Sequence, residues 1–226
     1  MLSNIFHFTI LSFFALFPII NPIGNAFVVN SFCHEITPNE RKIIVKKIVI
    51  RSFFFGLVAL LIGKFLLMLF GLSIPVIQIT GGAIIFRTGW ALLSDENNSA
   101  NTQADSTAIA QAPGKFSFEY LIEHAFYPLT FPITIGAGAS ATIFALAADA
   151  TGKSSSWWEI GYYFSAIAAS LLMISATIYI FYINTPAVEK FLGKEGKTII
   201  NKVSAFFTAA VGLQIVLNGL STFLNK

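Results

Sequence analysis

The amino-acid sequence predicts an all-α membrane protein, with six transmembrane helices arranged as two inverted three-helix repeats. Three observations carry this expectation. Only 11% of the 226 residues are charged while 55% are hydrophobic, and the mean hydropathy is +0.74; a soluble domain needs roughly 25% charged residues to wet its surface. The apolar residues form long unbroken runs, which suit helices, and not the short alternating segments of a barrel. A pair of prolines, Pro18 and Pro22, recurs with the same spacing as Pro128 and Pro132.

A bilayer core takes about 20 apolar residues per helix, and six stretches supply them: 8–30, 44–70, 75–94, 123–148, 157–183 and 199–222. The first opens without Lys or Arg before it and no small-residue cleavage site follows, so an uncleaved span is expected in place of a signal peptide. Between the third and fourth stretches, SDENNSANTQADSTAIAQAPGK is polar and of low complexity, and reads as a mobile linker. The chain thus divides into a three-span unit at 1–94, a linker at 95–122 and a second three-span unit at 123–226.

Charge orients the spans. Arg41, Lys42, Lys46, Lys47 and Arg51 follow the first span; Lys190, Lys194, Lys197 and Lys202 follow the fifth; Lys115 sits in the linker. The opposite face carries Lys153 and Lys226. Basic loops stay on the cytoplasmic side, so the sequence predicts a multi-pass membrane protein with both termini on the outer, periplasmic side. Trp157 and Trp158 at one end of the fifth span, and Tyr179 and Tyr182 at the other, fit an aromatic belt. The excess of positive charge lies beside apolar runs, so lipid and not nucleic acid is the expected partner. Cys33 stands alone, which excludes an internal disulfide and gives no metal-site spacing.

The repeat is written in proline. FPIINPIG in span one and YPLTFPITIG in span four each place two prolines after an aromatic residue and before glycine. Gly82 and Gly89 in span three echo Gly212 and Gly219 in span six, at a common shift of 130 residues. Three spans is an odd number, so the second unit enters from the other side, as in inverted-repeat transporters whose sites lie where paired helices are interrupted. Proline removes a backbone donor and strands a carbonyl one turn back, which is tolerated in a membrane only under cover of protein or a water-filled cavity. Asn21-Pro22 reads as the cap and first residue of a half-helix starting inside the membrane, whose amino end would favour a carboxylate. Span four has Phe131 before Pro132, so Thr130 or Thr134 would supply the polarity there.

These segments resemble the MarC family of bacterial integral membrane proteins, also grouped as small neutral amino-acid transporters. LFPIINPIGNAFVV, ITGGAIIFRTGWALL and PLTFPITIGAGASATI carry the resemblance, which extends over nearly the whole chain. Gly136-Ala137-Gly138 departs from the Gly-Pro-Gly that the family tends to show, keeping both glycines. The resemblance implies a six-span inner-membrane protein that moves small neutral amino acids, alanine-like or glycine-like.

The candidate substrate-binding residues are therefore Asn21, Pro22, Gly24, Asn25, Thr130, Pro132, Thr134, Gly136 and Gly138. Thr80, Gly81 and Gly82 in span three, and Gln214 and Asn218 in span six, are candidate lining residues. Asn201, Ser204, Thr208 and Gly212 share another face of span six, and small residues at that spacing read as helix packing. Lys64, Arg87, Glu123 and His124 are ionisable groups in or at the ends of spans, the candidates for proton or sodium coupling; Lys64 and Arg87 are each near enough to a span end to snorkel. No hydrolase, metalloprotease or phosphate-loop signature is present, so neither an enzyme nor a cofactor is expected. A secondary transporter for a small molecule is the leading expectation. A non-transporting membrane interaction protein is the alternative; a channel lacks any ring of like charges or filter motif.

Overall fold

A computed structural model describes residues 2–33, 35–69, 71, 73–94, 116–152 and 156–224. Every regular element among them is helical. In chain order they are α1 (Leu2–Ile20), α2 (Pro22–Phe32), α3 (Pro38–Leu69), α4 (Ile74–Ser94), the short α5 (Phe118–Glu123), a π-helical segment (Ala125–Thr134), α6 (Ala137–Gly152) and α7 (Trp157–Leu224). Three helical stretches are long and apolar enough to cross a membrane: Pro75–Ser94, Trp157–Gly193 and Thr198–Leu224. The count rises to five if two bent pairs are each one span, α1 with α2 bent by 41° and the π-helical segment with α6 bent by 65°. α3 covers the stretch read as span two without entering that count. Most of the polar linker lies outside the described residues, and α5 occupies its last part.

Local chemistry sets several boundaries. α3 begins in a capping box: the Thr37 backbone N–H donates to Glu40 Oε2 at 2.8 Å, and the Glu40 N–H donates back to Thr37 Oγ1 at 3.3 Å. Pro38 takes the first helical position, where its missing donor costs nothing.

The segment 184–198, expected as a loop between spans five and six, is instead helical and belongs to α7. Its first arm, Trp157–Gly193, has 37 residues, about 55 Å at the α-helical rise, against a hydrocarbon core of about 30 Å. The surplus carries Glu189, Lys190 and the 90% exposed Phe191. The turn between the arms falls at Gly193, where φ is 63°, a conformation glycine adopts without steric cost. Pro186 interrupts the ladder earlier, and the Thr185 hydroxyl, which donates to the Phe181 carbonyl at 2.7 Å, also lies 3.1 Å from the Tyr182 carbonyl that the proline strands.

Two packing relations position the rest. α4 lies antiparallel on the second arm of α7 through glycines. A Cβ on Gly82 would stand 2.7 Å from the Gly212 carbonyl oxygen and 2.9 Å from Val216; Gly89 abuts the Ala205 and Ala209 backbone, Gly212 the Phe86 backbone, and Gly219 meets Gln78 and Ile79. Small residues let backbones approach this closely, which is how helices attract each other in lipid. Lys202 Nζ then donates to the carbonyls of Leu92 and Leu93 at the C-terminal end of α4, at 3.3 and 2.5 Å. The central core collects Leu16 and Ile20 of α1, Ile44 and Ile48 of α3, Ile133 and Ile135, Ile143 of α6, and Ile167, Ile174 and Tyr182 of α7, all almost fully buried. Phe14, Phe54, Phe65, Phe206 and Phe207 point outward with more than half their surface free. In water that would be a defect. Against acyl chains it is the expected complement.

Candidate functional site

The two breaks anticipated from the prolines meet in the structure. α1 ends at Ile20 and α2 begins at Pro22. Asn21 between them has φ 45° and ψ 62°, the left-handed region that asparagine tolerates better than most residues. Its Oδ1 accepts the Gly24 N–H at 3.1 Å, capping the new helix. Pro22 has no N–H, so the Pro18 carbonyl loses its partner one turn back; the buried Thr208 hydroxyl of α7 lies 2.8 Å from it and shares its one hydrogen between this carbonyl and that of Ser204, also at 2.8 Å. Because the Gly24 N–H is turned to Asn21, the Ile20 carbonyl is also released, and Asn25 Nδ2 donates to it at 2.6 Å.

The same Asn25 nitrogen donates its second hydrogen to the Ile133 carbonyl of the other break, at 2.7 Å. Asn25 is 5% exposed. One buried carboxamide thus serves both breaks. On the far side, the peptide bonds before Pro128 and Pro132 are cis, and the chain runs as a π-helical segment with extended backbone at Tyr127 and Phe131. Hydrogen bonds there skip five residues: Thr130 Oγ1 to the Ala125 carbonyl at 2.7 Å, Thr134 Oγ1 to the Leu129 carbonyl at 2.6 Å, and the Ile135 N–H to the Thr130 carbonyl at 2.9 Å. Thr134 also meets the Tyr182 hydroxyl at 3.0 Å. The threonines therefore stabilise their own broken backbone. Gly136 follows the break, and α6 starts at Ala137, with Gly138 beside Ile19 of α1, 3.4 Å from a Cβ placed on it. The amino ends of α2 and α6 both open at this junction, where partial positive charge gathers.

Asn21, Pro22, Gly24, Asn25, Thr130, Pro132, Thr134, Gly136 and Gly138 all belong to these two breaks. The other candidates lie elsewhere. Thr80 is exposed and donates to the Val76 carbonyl of its own helix at 2.8 Å. Gly81 packs against Ala141 of α6 and Gly82 against α7. Gln214 and Asn218 are exposed on the outer face of α7 and bond each other, Nε2 to Oδ1 at 2.9 Å. Arg87 and Glu123 are exposed; His124 is half-buried, stacked on Tyr120 with ring centroids 3.8 Å apart and Nδ1 2.9 Å from the Tyr120 carbonyl. The side chain of Lys64 lies outside the described residues.

Three polar contributions were not read as functional in the sequence. Thr208 and Asn201 stand two turns apart on one face of α7, and their spacing resembles plain packing. Asn201 Oδ1 is buried without a hydrogen-bond partner and lies 2.9 Å from where a Gly24 Cβ would be. At the end of α2, Arg41 donates to Asn30 Oδ1 at 2.6 Å and to the Cys33 carbonyl at 3.2 Å, while Asn30 Nδ2 donates to Glu189 Oε2 at 2.7 Å. Its members are separated by up to 159 positions, so no local spacing signals it. Among the described residues no group of three or more metal-ligating side chains occurs.

A family model described as MarC family integral membrane protein matches residues 6–224. The UPF0056 membrane protein YvbG of Bacillus subtilis is 27% identical over 95% of this chain and 95% of its own. A UPF0056 membrane protein of Aquifex aeolicus is 24% identical over 94% and 92%, and the UPF0056 inner membrane protein MarC of Escherichia coli 24% over 91% and 90%. No solved structure matches the chain.

Proposed function

We propose that this chain, which belongs to the MarC family of integral membrane proteins, is a secondary transporter of small neutral amino acids with its site at the two abutting breaks. The observation that carries the reading is Asn25, whose single side-chain nitrogen satisfies one released carbonyl from each break. Helices broken at matching depth, with free amino ends directed inward, are how transporters expose backbone polarity to a solute. Six spans in two inverted units are part of the proposal. The α4–α7 contacts support them: Gly82 meets Val216 as Gly212 meets Phe86, and Gly89 meets Ala209 as Gly219 meets Ile79. Each pair converts into the other by the shift of 130 residues, the pattern a two-fold axis between repeats would produce. The charge asymmetry supports periplasmic termini, and the inner-membrane name of the Escherichia coli relative supports an inner-membrane location. Coupling to protons or sodium completes the reading.

Purified protein in liposomes should take up labelled alanine or glycine saturably, faster under an imposed proton or sodium gradient. Asn21→Ala should reduce that uptake to background, and uptake unchanged by it would remove the site from the breaks. A second reading, a membrane interaction protein without transport, draws on the close packing of the same junction, where Ile20, Ile133, Ile135 and Ala139 are buried. No uptake across a panel of neutral solutes would select it.

A further inference from the structure

The carbonyls released at the break in the first span have partners: Pro18 has Thr208, and Ile20 has Asn25. The polar atom left over is a side-chain oxygen. Asn201 Oδ1, brought in by the second arm of α7, is buried and accepts nothing. A buried acceptor without a donor is costly, and such groups call for an explanation in ligand or function. Where it points is specific. Asn201 Oδ1 and Asn21 Nδ2 both crowd the space beside Gly24 that a side chain would fill. No hydrogen bond joins them, although one is an acceptor and the other a donor. Asn21 Oδ1 is committed to the Gly24 N–H, so its amide nitrogen, not its oxygen, is what it offers.

We propose that Asn201 is a substrate-binding residue, its amide oxygen receiving the ammonium group of the transported solute while Asn21 Nδ2 and the amino end of α2 receive the carboxylate. The assignment rests on the transport reading above. A donor and an acceptor side by side, both uncharged, complement a ligand that carries both charges on neighbouring atoms and no net charge. The space beside Gly24 is closed even to a Cβ, so a solute enters only as the Asn21 and Asn201 side chains part around it, and a small one asks the least of them. Asn201 and Thr208, two turns apart on one face, then have distinct duties. Thr208 completes the protein; Asn201 completes the ligand.

The test uses the full-length protein, with binding of L-alanine followed by calorimetry and uptake followed in liposomes. Asn201→Leu, which keeps the volume and removes the acceptor, should weaken alanine binding about tenfold or more, the equivalent of one lost hydrogen bond to a charged group. Asn201→Asp, which keeps an acceptor oxygen, should bind alanine within about threefold of wild type or more tightly, and should gain affinity for ethylamine, which lacks the carboxylate. Circular dichroism melting of both variants reports folding separately. If wild type binds and Asn201→Leu binds equally well, the assignment is overturned while transport stands. If wild type binds without moving alanine, the transport reading falls and the Leu–Asp comparison still decides the assignment. No binding by wild type overturns the assignment outright.

Discussion

Gly24 is a position where one methyl group has a large and specific effect. A Cβ there would collide with the Asn21 side chain and approach Asn201 Oδ1 to 2.9 Å, so Gly24→Ala must displace the carboxamide that caps α2. Losing such a cap costs about 1 kcal/mol. We expect a modest fall in melting temperature with a much larger loss of uptake, and equal losses would argue against a role beyond structure. Asn25→Leu should behave in the opposite proportion for stability. It leaves the Ile20 and Ile133 carbonyls without donors in an apolar surround, at about 1–3 kcal/mol each, and a melting point unchanged from wild type would contradict the bridge. Cys33 offers a native reporter. Burial pushes its thiol up to about 11, with Arg41 nearby opposing the shift. Since the thiolate is the reacting form, alkylation should be slow at neutral pH and rise with pH as the thiolate forms.

The helix pair formed by α4 and the second arm of α7 is held by contact between backbones, not by interlocking large side chains. Gly212→Val would place two methyl groups against the Phe86 backbone, and overpacking of this kind typically costs about 1–3 kcal/mol. Detergent-solubilised variant should melt lower and become sensitive to protease between the two helices; wild-type behaviour would mean that the contact is slack. The sequence already displayed these glycines, and it displayed Asn21-Pro22 as a helix start, because both depend on local chemistry that any window of residues contains. It did not display the helical run through 184–198. Charged residues there read as a loop, yet Ala187, Val188, Glu189 and Lys190 can continue a helix past the membrane. Nor did it display that Thr130 and Thr134 turn their hydroxyls to their own backbone, since a threonine that bonds five residues back is visible only once the backbone has left α-helical geometry. At α3, the capping box holds the exposed Glu40 carboxyl below its usual range through hydrogen bonds from Thr37. That small contribution to the helix start is present above the ordinary carboxylate range and lost as the pH falls through the lowered value.

Across the molecule, charged residues gather at the end where α2, α3 and the long arm of α7 converge. Asn30, 4% exposed, sits between Arg41 and Glu189 as a neutral adaptor, its oxygen toward the cation and its nitrogen toward the anion. Glu189→Ala removes one end of this chain and should loosen the closure over Cys33, raising alkylation at fixed pH about tenfold, as expected for one charge-assisted hydrogen bond. An unchanged rate would show that the end is sealed by packing alone. The two ends of the protein are thus held by different means, side-chain ions at one and helix-breaking backbone further in. Asn25 gives that difference a mechanical meaning. Its two hydrogens are spent on two broken helices, so the helices can swing about this nitrogen but cannot part there without stranding a carbonyl in hydrocarbon. On the transport reading, exchange between inward-facing and outward-facing forms would turn on it as on an axle, opening above or below while the centre stays closed.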